Sequence, residues 1–227
     1  MISHAHKTVF IHIPKCGGQS VETCFLEDLG LDWATRAPLL LRRNDNFRIG
    51  PCRLAHMTAL EYTKFHYLSE ALFESYYSFA IIRDPVSRVL SMFNYLRIQD
   101  ATGTNMALEP FLYDWLARQF SFAESYAAEH HRYRGHYWFV RPQADFVNKD
   151  DGTLAVDQIF TLEFLSQNFA SLKSKSGLKA NLRHVNKSTS SASRSDLKPD
   201  HIKFIEELYK KDVKLLLLGD KNLEPHK

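Results

Sequence analysis

The sequence contains only three cysteines in 227 residues, Cys16, Cys24 and Cys52. An odd number in a chain of this length argues against a disulfide framework and favours a reducing compartment. The spacing of the three also fails to match a zinc site. We therefore expect a cytoplasmic protein without a structural metal.

Long apolar runs and a strong excess of one charge are also missing. No segment approaches the ~20 apolar residues of a membrane span, and the first ten residues lack the basic and apolar regions of a signal peptide. A Golgi-type anchor removed from this sequence stays an alternative. The balance of 29 Lys+Arg against 26 Asp+Glu, a net charge of +3, is too small to indicate nucleic-acid binding. With 44% hydrophobic residues, the chain is expected to fold as one domain over residues 1–227.

The stretch HIPKCGGQS, residues 12–20, is the first motif that indicates chemistry. It follows the short β-branched and aromatic run TVFIHIP at 8–14, which predicts a buried strand, and precedes helical spacing of apolar residues over 19–29. Glycines between a strand and a helix let backbone N–H groups converge on an anion. In the common nucleotide-triphosphate loop, however, the lysine follows the last glycine, whereas Lys15 precedes both. The motif therefore predicts an anion site that differs from an ordinary ATP site.

A second strand-to-helix unit lies in YYSFAIIRDPVSRVLSMFNYLR, residues 76–97. YSFAII predicts a buried strand, and Asp84 followed by Pro85 is typical of a helix N-cap and first helical position. Arg83 ends the strand and Ser91 lies two turns into the helix, so both could contact one ligand.

Strands alternate with helices along the rest of the chain. VDQIFTLEFL at 156–165 predicts a strand turning into a helix, and residues 199–218 predict one terminal helix. This order predicts an α/β domain with a central parallel sheet, helices on both faces, and ligands at the carboxyl ends of the strands.

IHIPKCGGQS, then FAIIRDPVSRVLSMFNYL, then HVNKS at 184–188 together resemble the donor-binding signature of sulfotransferases that use PAPS (3′-phosphoadenosine 5′-phosphosulfate). The sequence is similar to heparan sulfate 2-O-sulfotransferase-like enzymes and their bacterial family-2 counterparts, and the resemblance covers much of the chain. It implies a P-loop NTPase-like sulfotransferase fold. It also implies sulfuryl transfer from PAPS, without a metal, to a hydroxyl of a carbohydrate or glycoconjugate.

The resemblance also implies roles for single residues. Arg83 and Ser91 are expected at the 3′-phosphate of the donor, and Lys15 is expected to stabilise charge on the leaving phosphate. Cys16 and Gln19 stand where family loops often carry threonine, so backbone contacts are expected there. The loop for the 5′-phosphosulfate comprises Lys15, Cys16, Gly17, Gly18, Gln19 and Ser20.

The reaction also requires a general base, because the acceptor hydroxyl loses its proton as it attacks sulfur. Histidine suits this role near neutral pH. His56, in RLAHMTALEY, precedes the second strand by about the interval that the resembled enzymes show for their catalytic histidine. We therefore predict His56 as the base, with Glu22 as the second candidate.

Two other classes of function stay open at this point. In a nucleotide or small-molecule kinase Asp84 would bind magnesium, although no GK[ST] follows the glycines. A non-catalytic nucleotide- or glycan-binding module would keep Lys15 and Arg83 without a base. The identity of the acceptor, the oligomeric state and the role of the basic patch with His130, His131 and His136 are left open by the sequence.

Overall fold

A computed structural model describes residues 1–99, 106–123, 135–182 and 192–221 of the chain. Its centre is a sheet of four strands in the order β1-β2-β3-β4. Three of them, β2 to β4, run parallel, while β1 pairs antiparallel with β2 at one edge. The predicted parallel sheet is therefore confirmed, with an antiparallel edge strand that the sequence did not predict. The strands are β1 (Ile2–Ser3), β2 (Thr8–Ile11), β3 (Tyr77–Ile82) and β4 (Gln158–Thr161).

The register of the parallel strands brings their carboxyl ends to one edge. Ile11 of β2 lies opposite Ala80 of β3, and Ile82 of β3 lies opposite Thr161 of β4. The loops that follow β2 and β3 therefore emerge side by side. In an open parallel sheet this edge is where ligands bind.

Both faces of the sheet are covered. Successive side chains of a strand point to opposite faces, and all four residues of β2 and five of the six in β3 are buried. The helices of the described residues are α1 (Gly18–Asp28), α2 (Ala59–Lys64), α3 (Glu70–Ser75), α4 (Pro85–Gln99), α5 (Leu108–Pro110), α6 (Ala117–Ser121), α7 (Tyr137–Val140), α8 (Ala144–Val147), α9 (Leu165–Ser176), α10 (Pro199–Leu208) and α11 (Lys210–Lys221). Short 3₁₀ turns occupy Ala37–Leu39, Leu54–His56, Leu162–Phe164 and Arg194–Asp196, and Phe111–Leu116 is π-helical.

Most local predictions are confirmed, and two need correction. The strand at 77–82 has the predicted bounds, and Asp84 caps α4 by accepting a hydrogen bond from the Ser87 N–H at 2.8 Å. The first strand is shorter than predicted, because it ends at Ile11 and the rest of TVFIHIP enters the loop. The prediction of a single terminal helix over 199–218 is wrong. The chain leaves helical geometry at Tyr209, with φ −109° and ψ 30°, between α10 and α11. The buried Tyr209 hydroxyl donates to the Val140 carbonyl at 2.6 Å, a tertiary contact that local periodicity does not reveal.

A buried arginine on α4 links the segments around the carboxyl edge. Arg88 is 1% exposed, and its guanidinium donates to the carbonyl oxygens of Pro14, Phe139 and Arg141 at 3.0 to 3.3 Å. Its charge is balanced by the buried Asp212 of α11, with 3.7 Å between Nη1 and Oδ2. One side chain therefore connects the loop after β2, the segment 139–141 and the last helix.

Asp212 extends this network to the loop at the start of α8. Its two carboxylate oxygens accept hydrogen bonds from the backbone N–H groups of Gln143 and Ala144, at 2.9 and 3.0 Å. Burial raises the pKa of Asp212, while the nearby Arg88 acts in the opposite direction. Removing either partner would leave a buried charge without compensation, which is the expensive way to break an ion pair.

We predict that Arg88→Ala destabilises the protein by about 3–5 kcal/mol, because Asp212 and three carbonyl groups lose their partner in the interior. Arg97→Ala, on the exposed side of the same helix, is the matched control and should cost about 1 kcal/mol or less, because it removes only surface contacts such as the one over the Phe93 ring. Urea unfolding of both variants measures the difference. Equal free energies of unfolding would show that the Arg88 network does not stabilise the fold.

Candidate active site

The loop between β2 and α1 has the geometry that the glycine motif predicted. Lys15 and Gly17 both have positive φ, 67° and 74°. At Gly17 a Cβ atom would also lie 2.6 Å from Cδ1 of Leu162, so a side chain has neither the conformation nor the space it needs. Helix α1 then begins at Gly18 with no capping side chain, which leaves its first N–H groups pointing into the loop.

Lys15 points its ammonium group over an aromatic ring. Its Nζ lies 4.2 Å from the centroid of Tyr95 on α4. Within the described ranges of the chain, no carboxylate pairs with it. Burial, and secondarily the positive charge of Arg83, lower the pKa of Lys15 to about 8. The lysine is thus a partly desolvated cation whose charge an incoming anion would stabilise.

Arg83 stands beside this loop at the end of β3. Its guanidinium donates to the Lys15 carbonyl at 3.4 Å, and it too forms no ion pair with a carboxylate in the part of the chain that the structure describes. The predicted pair of cations is therefore brought together at the carboxyl ends of neighbouring strands. The positive charge of Arg83 lowers the pKa of Lys15, which shows that the two cations repel each other, and an anion bound beside them would reduce this repulsion.

Gln143 links the loop that carries Lys15 to the residue that follows β3, Arg83, and the sequence did not reveal this role. Its side-chain amide accepts from the Arg83 N–H and donates to the Arg83 carbonyl, each at 2.8 Å. The same Oε1 accepts from the Cys16 thiol at 3.1 Å. The backbone of Gln143 is in turn held by Asp212. The only signal in the sequence was the short RPQ motif at 141–143, which carries no indication of its partners.

Cys16 is a buried thiol of the loop rather than a charged group. Burial raises its pKa to about 12, and the nearby Arg88 and Arg83 only partly offset this. It therefore stays protonated near neutral pH and acts as a small packed hydrogen-bond donor. Gln19 and Ser20 follow it on the first turn of α1, Gln19 exposed and Ser20 half-buried.

Ser91 and Asp84 lie on the helix that follows Arg83. Ser91 is half-buried, and its hydroxyl forms no hydrogen bond to any described residue, so it can donate to a ligand. Asp84 is already engaged, because the oxygen that caps α4 also accepts from Arg194 at 3.1 Å.

His56 ends the 3₁₀ turn at Leu54–His56, between two aromatic neighbours. Its ring centroid is 4.6 Å from that of His12 and 5.7 Å from that of Trp138. Its Nδ1 lies 2.8 Å from the His12 carbonyl oxygen, which can only accept, so in the neutral ring the proton is on Nδ1 and the lone pair is on Nε2. Burial first, and then the charge of His12, hold the pKa of His56 well below 6.5. A neutral imidazole with a basic Nε2 is the form that a general base requires.

Glu22, the second candidate base, lies on α1 and is 3% exposed. Its Oε1 is 2.5 Å from Nδ1 of His12, so this carboxylate is engaged inside the protein. His12 is the residue of this group that sequence reasoning missed. Its signal was a single histidine in the otherwise apolar strand FIHIP.

Some predicted residues lie outside the described part of the chain. These are the HVNKS motif and the basic patch from His130 to Arg134, whereas His136 is described and burial lowers its pKa. Among the described residues no group of three or more His, Cys, Asp or Glu side chains is placed to hold a metal ion. No helix within the described ranges has the length and apolar character needed to cross a bilayer.

The described residues form an α/β protein in which two cations, Lys15 and Arg83, lie at the carboxyl edge of the parallel sheet. The His56 ring donates its Nδ1–H to the His12 carbonyl, one residue after the end of β2. The family model of the sulfotransferase family matches residues 1–217, and the chain belongs to this family. It is therefore an enzyme of sulfuryl transfer. No curated protein and no solved structure matches the chain.

We predict that Gly18→Ala destabilises the protein, because an added Cβ would lie 2.3 to 2.8 Å from ring atoms of His12. Overpacking of this kind costs about 1–3 kcal/mol. Thr23→Ala, on the same helix, is the control and should change the free energy of unfolding by about 0.5 kcal/mol or less. Urea unfolding measures both, and a Gly18→Ala variant as stable as the control would contradict the close contact with His12.

Proposed function

We propose that this enzyme transfers a sulfuryl group from PAPS to a hydroxyl of a carbohydrate or glycoconjugate, with His56 as the general base. The observation that carries the proposal is the pairing of Lys15 with Arg83, two neighbouring cations that have no carboxylate partner among the described residues. A donor with negative groups at both ends would compensate both charges.

The residues of the site fit such a donor in two parts. Lys15 and the N–H groups of the loop and of α1, over residues 15–20, would hold the 5′-phosphosulfate. Arg83, whose planar fork matches a phosphate, and the Ser91 hydroxyl would hold the 3′-phosphate. Cys16 and Gln19 would contribute through their backbone, since the Cys16 thiol already donates to Gln143.

Each proposed group has a defined task in the transfer. The acceptor oxygen forms a bond to sulfur while the bond between sulfur and the bridging phosphate oxygen breaks, and the bonding electrons stay on that oxygen. Lys15 stabilises the charge that develops there, as preorganised donors do in other displacements. His56 takes the hydroxyl proton on Nε2, and the His12 carbonyl fixes the proton already present on Nδ1.

The alternative functions are less well supported by the arrangement. A kinase that used Asp84 for magnesium would need a carboxylate that already caps α4 and contacts Arg194. A non-catalytic binding module would not require the neutral, oriented imidazole of His56.

The direct test is transfer of radiolabelled sulfate from PAPS to a panel of glycans, with a tyrosine peptide and small glycosides for comparison. We expect labelled glycan product, undiminished when a chelator removes magnesium. Labelling of the peptide alone would overturn the carbohydrate assignment. Phosphate transfer from labelled ATP without sulfate transfer from PAPS would overturn the proposal as a whole.

We predict that affinity for adenosine 3′,5′-bisphosphate falls by about tenfold or more as pH rises from 7 to 9.5, because Lys15 loses its proton near pH 8. The sign follows from the charge: the ammonium form binds the anion, and it is lost above the pKa. Calorimetric titration measures the effect. Lys15→Arg, which stays charged over this range, is the control and should show a flat profile; identical slopes in both proteins would contradict the role of Lys15.

We predict that His56→Asn lowers kcat by about two to four orders of magnitude and leaves bisphosphate affinity nearly unchanged. In the native enzyme, kcat/KM for the donor should fall on the acid side through a pKa below 6.5, since burial lowers the pKa of His56 and only the neutral ring accepts a proton. The variant should lose this acid limb. The exposed His66, whose φ of 58° asparagine tolerates, supplies the control His66→Asn, with native kinetics expected. Native kcat in a folded His56→Asn variant would assign the histidine to structure alone.

A further inference from the structure

We propose that Glu22 and His12 are positioning residues, whose side chains hold the His56 ring in the orientation of a base and tie it to the anion-binding loop. The inference rests on the proposed function of His56 and adds two residues to it. Neither is placed to contact the reacting atoms, because Glu22 acts on His12 and His12 acts on His56.

The first link is the contact between Glu22 and His12. Oε1 and Nδ1 are 2.5 Å apart, and the two side chains are only 4% and 12% exposed. A carboxylate that hydrogen-bonds to one ring nitrogen fixes the tautomer and the rotation of an imidazole. The His12 ring also stacks on Phe10, with centroids 5.5 Å apart and 12° between the planes. The His12 ring is therefore held by a polar contact at its edge and an aromatic contact on its face.

The second link runs from His12 to His56 by two routes. The backbone carbonyl of His12 accepts the Nδ1–H of His56 at 2.8 Å, which leaves Nε2 unprotonated. The two rings meet at 4.6 Å with 66° between their planes, so the His12 ring limits the tilt of His56. Trp138 stacks on His56 at 5.7 Å and 26°, which further restricts the ring. The backbone carbonyl of residue 12 thus sets the tautomer of the proposed base, and the His12 ring restricts its angle.

The third link joins this pair to the loop. A Cβ atom on Gly18 would lie only 2.3 to 2.8 Å from ring atoms of His12. The imidazole therefore packs directly against the first residue of α1. Glu22 lies one turn further along the same helix. Helix α1, the loop and the base are therefore connected through one imidazole, and a base orientation set in this way is fixed relative to the donor site. The arrangement resembles the general case in which a base is itself oriented by a third group.

The test is a double-mutant cycle between residues 12 and 56. We expect His12→Ala to lower kcat by about tenfold to a hundredfold, the usual loss for an orienting partner, with bisphosphate affinity within about twofold of native, since no donor contact is removed. In the His56→Asn background the same substitution should cost nothing further, because there is no base left to orient. His12→Asn keeps an N–H near the position of Nδ1 and should recover part of the loss. The kcat of Glu22→Gln, which keeps an acceptor of the same shape, should lie between that of the native enzyme and that of His12→Ala.

A second readout does not depend on turnover. The ¹⁵N signals of the His56 ring, assigned by their disappearance in His56→Asn, should show the Nδ1–H tautomer both in the native protein and in His12→Ala, because the backbone carbonyl of residue 12 is kept. The Nδ1–H should exchange with water faster in His12→Ala, because the ring contact that restrains His56 is lost. If His12→Ala does not fold, Glu22→Gln and His12→Asn carry both measurements. An equal loss of kcat in the two backgrounds, or exchange of the His56 Nδ1–H in His12→Ala as slow as in the native protein, would overturn the positioning role. An inactive native enzyme with the expected spectra would instead refute the proposed function and leave the pair intact.

Discussion

The buried ion pair of Arg88 and Asp212 is the contact on which the geometry of the site depends. Arg88 holds the carbonyl of Pro14, one residue before Lys15, while Asp212 holds the backbone of Gln143. The side-chain amide of Gln143 then accepts a hydrogen bond from the Arg83 N–H and donates one to the Arg83 carbonyl. Its oxygen also accepts a hydrogen bond from the Cys16 thiol. Two interior charges thus fix the backbone just before Lys15 and the backbone of Gln143, which in turn holds Arg83. A buried pair of this kind contributes little net stability compared with apolar packing, so positioning of the site is the physical advantage it brings.

The surroundings of Lys15 and Arg83 are unfavourable for two positive charges. Lys15 is partly desolvated and lies close to Arg83, and both effects lower its pKa. Its backbone also adopts a positive φ, which is unfavourable for a residue with a side chain. A structure optimised for stability alone would pair these charges with carboxylates. Because no carboxylate among the described residues compensates these charges, binding of an anion beside them would be favourable, as the proposed donor site requires.

Sequence reasoning succeeded where the determining interactions are local. The strand at 77–82 and the Asp84 cap follow from residues within a few positions of one another. The proximity of the loops after β2 and β3 was also predictable, because parallel strands bring the loops that follow them to one edge of the sheet. The family motifs then named His56, and the structure shows a hydrogen bond that leaves Nε2 as the basic atom.

The missed features are tertiary contacts between distant segments. Nothing near Gln143 in the sequence indicates that its amide meets residues 16 and 83, and nothing near Arg88 indicates Asp212. The break at Tyr209 arises in the same way, since its hydroxyl is held by Val140. His12 was read as part of a buried strand, although β2 ends one residue earlier and its ring turns toward Glu22. Periodicity reports which face of an element is buried and does not identify the partner on the other side.

The central claim, that Lys15 and Arg83 form one site for a donor with two anionic ends, is tested most directly by comparing the affinities of adenosine 3′,5′-bisphosphate and 5′-AMP. A charge-assisted contact to the second phosphate is worth about 1.5–3 kcal/mol, which corresponds to about tenfold or greater preference for the bisphosphate. Calorimetric titration should show this preference in the native protein and its loss in Arg83→Ala, with 5′-AMP bound equally by both. Equal affinity of the native protein for the two nucleotides would contradict the account.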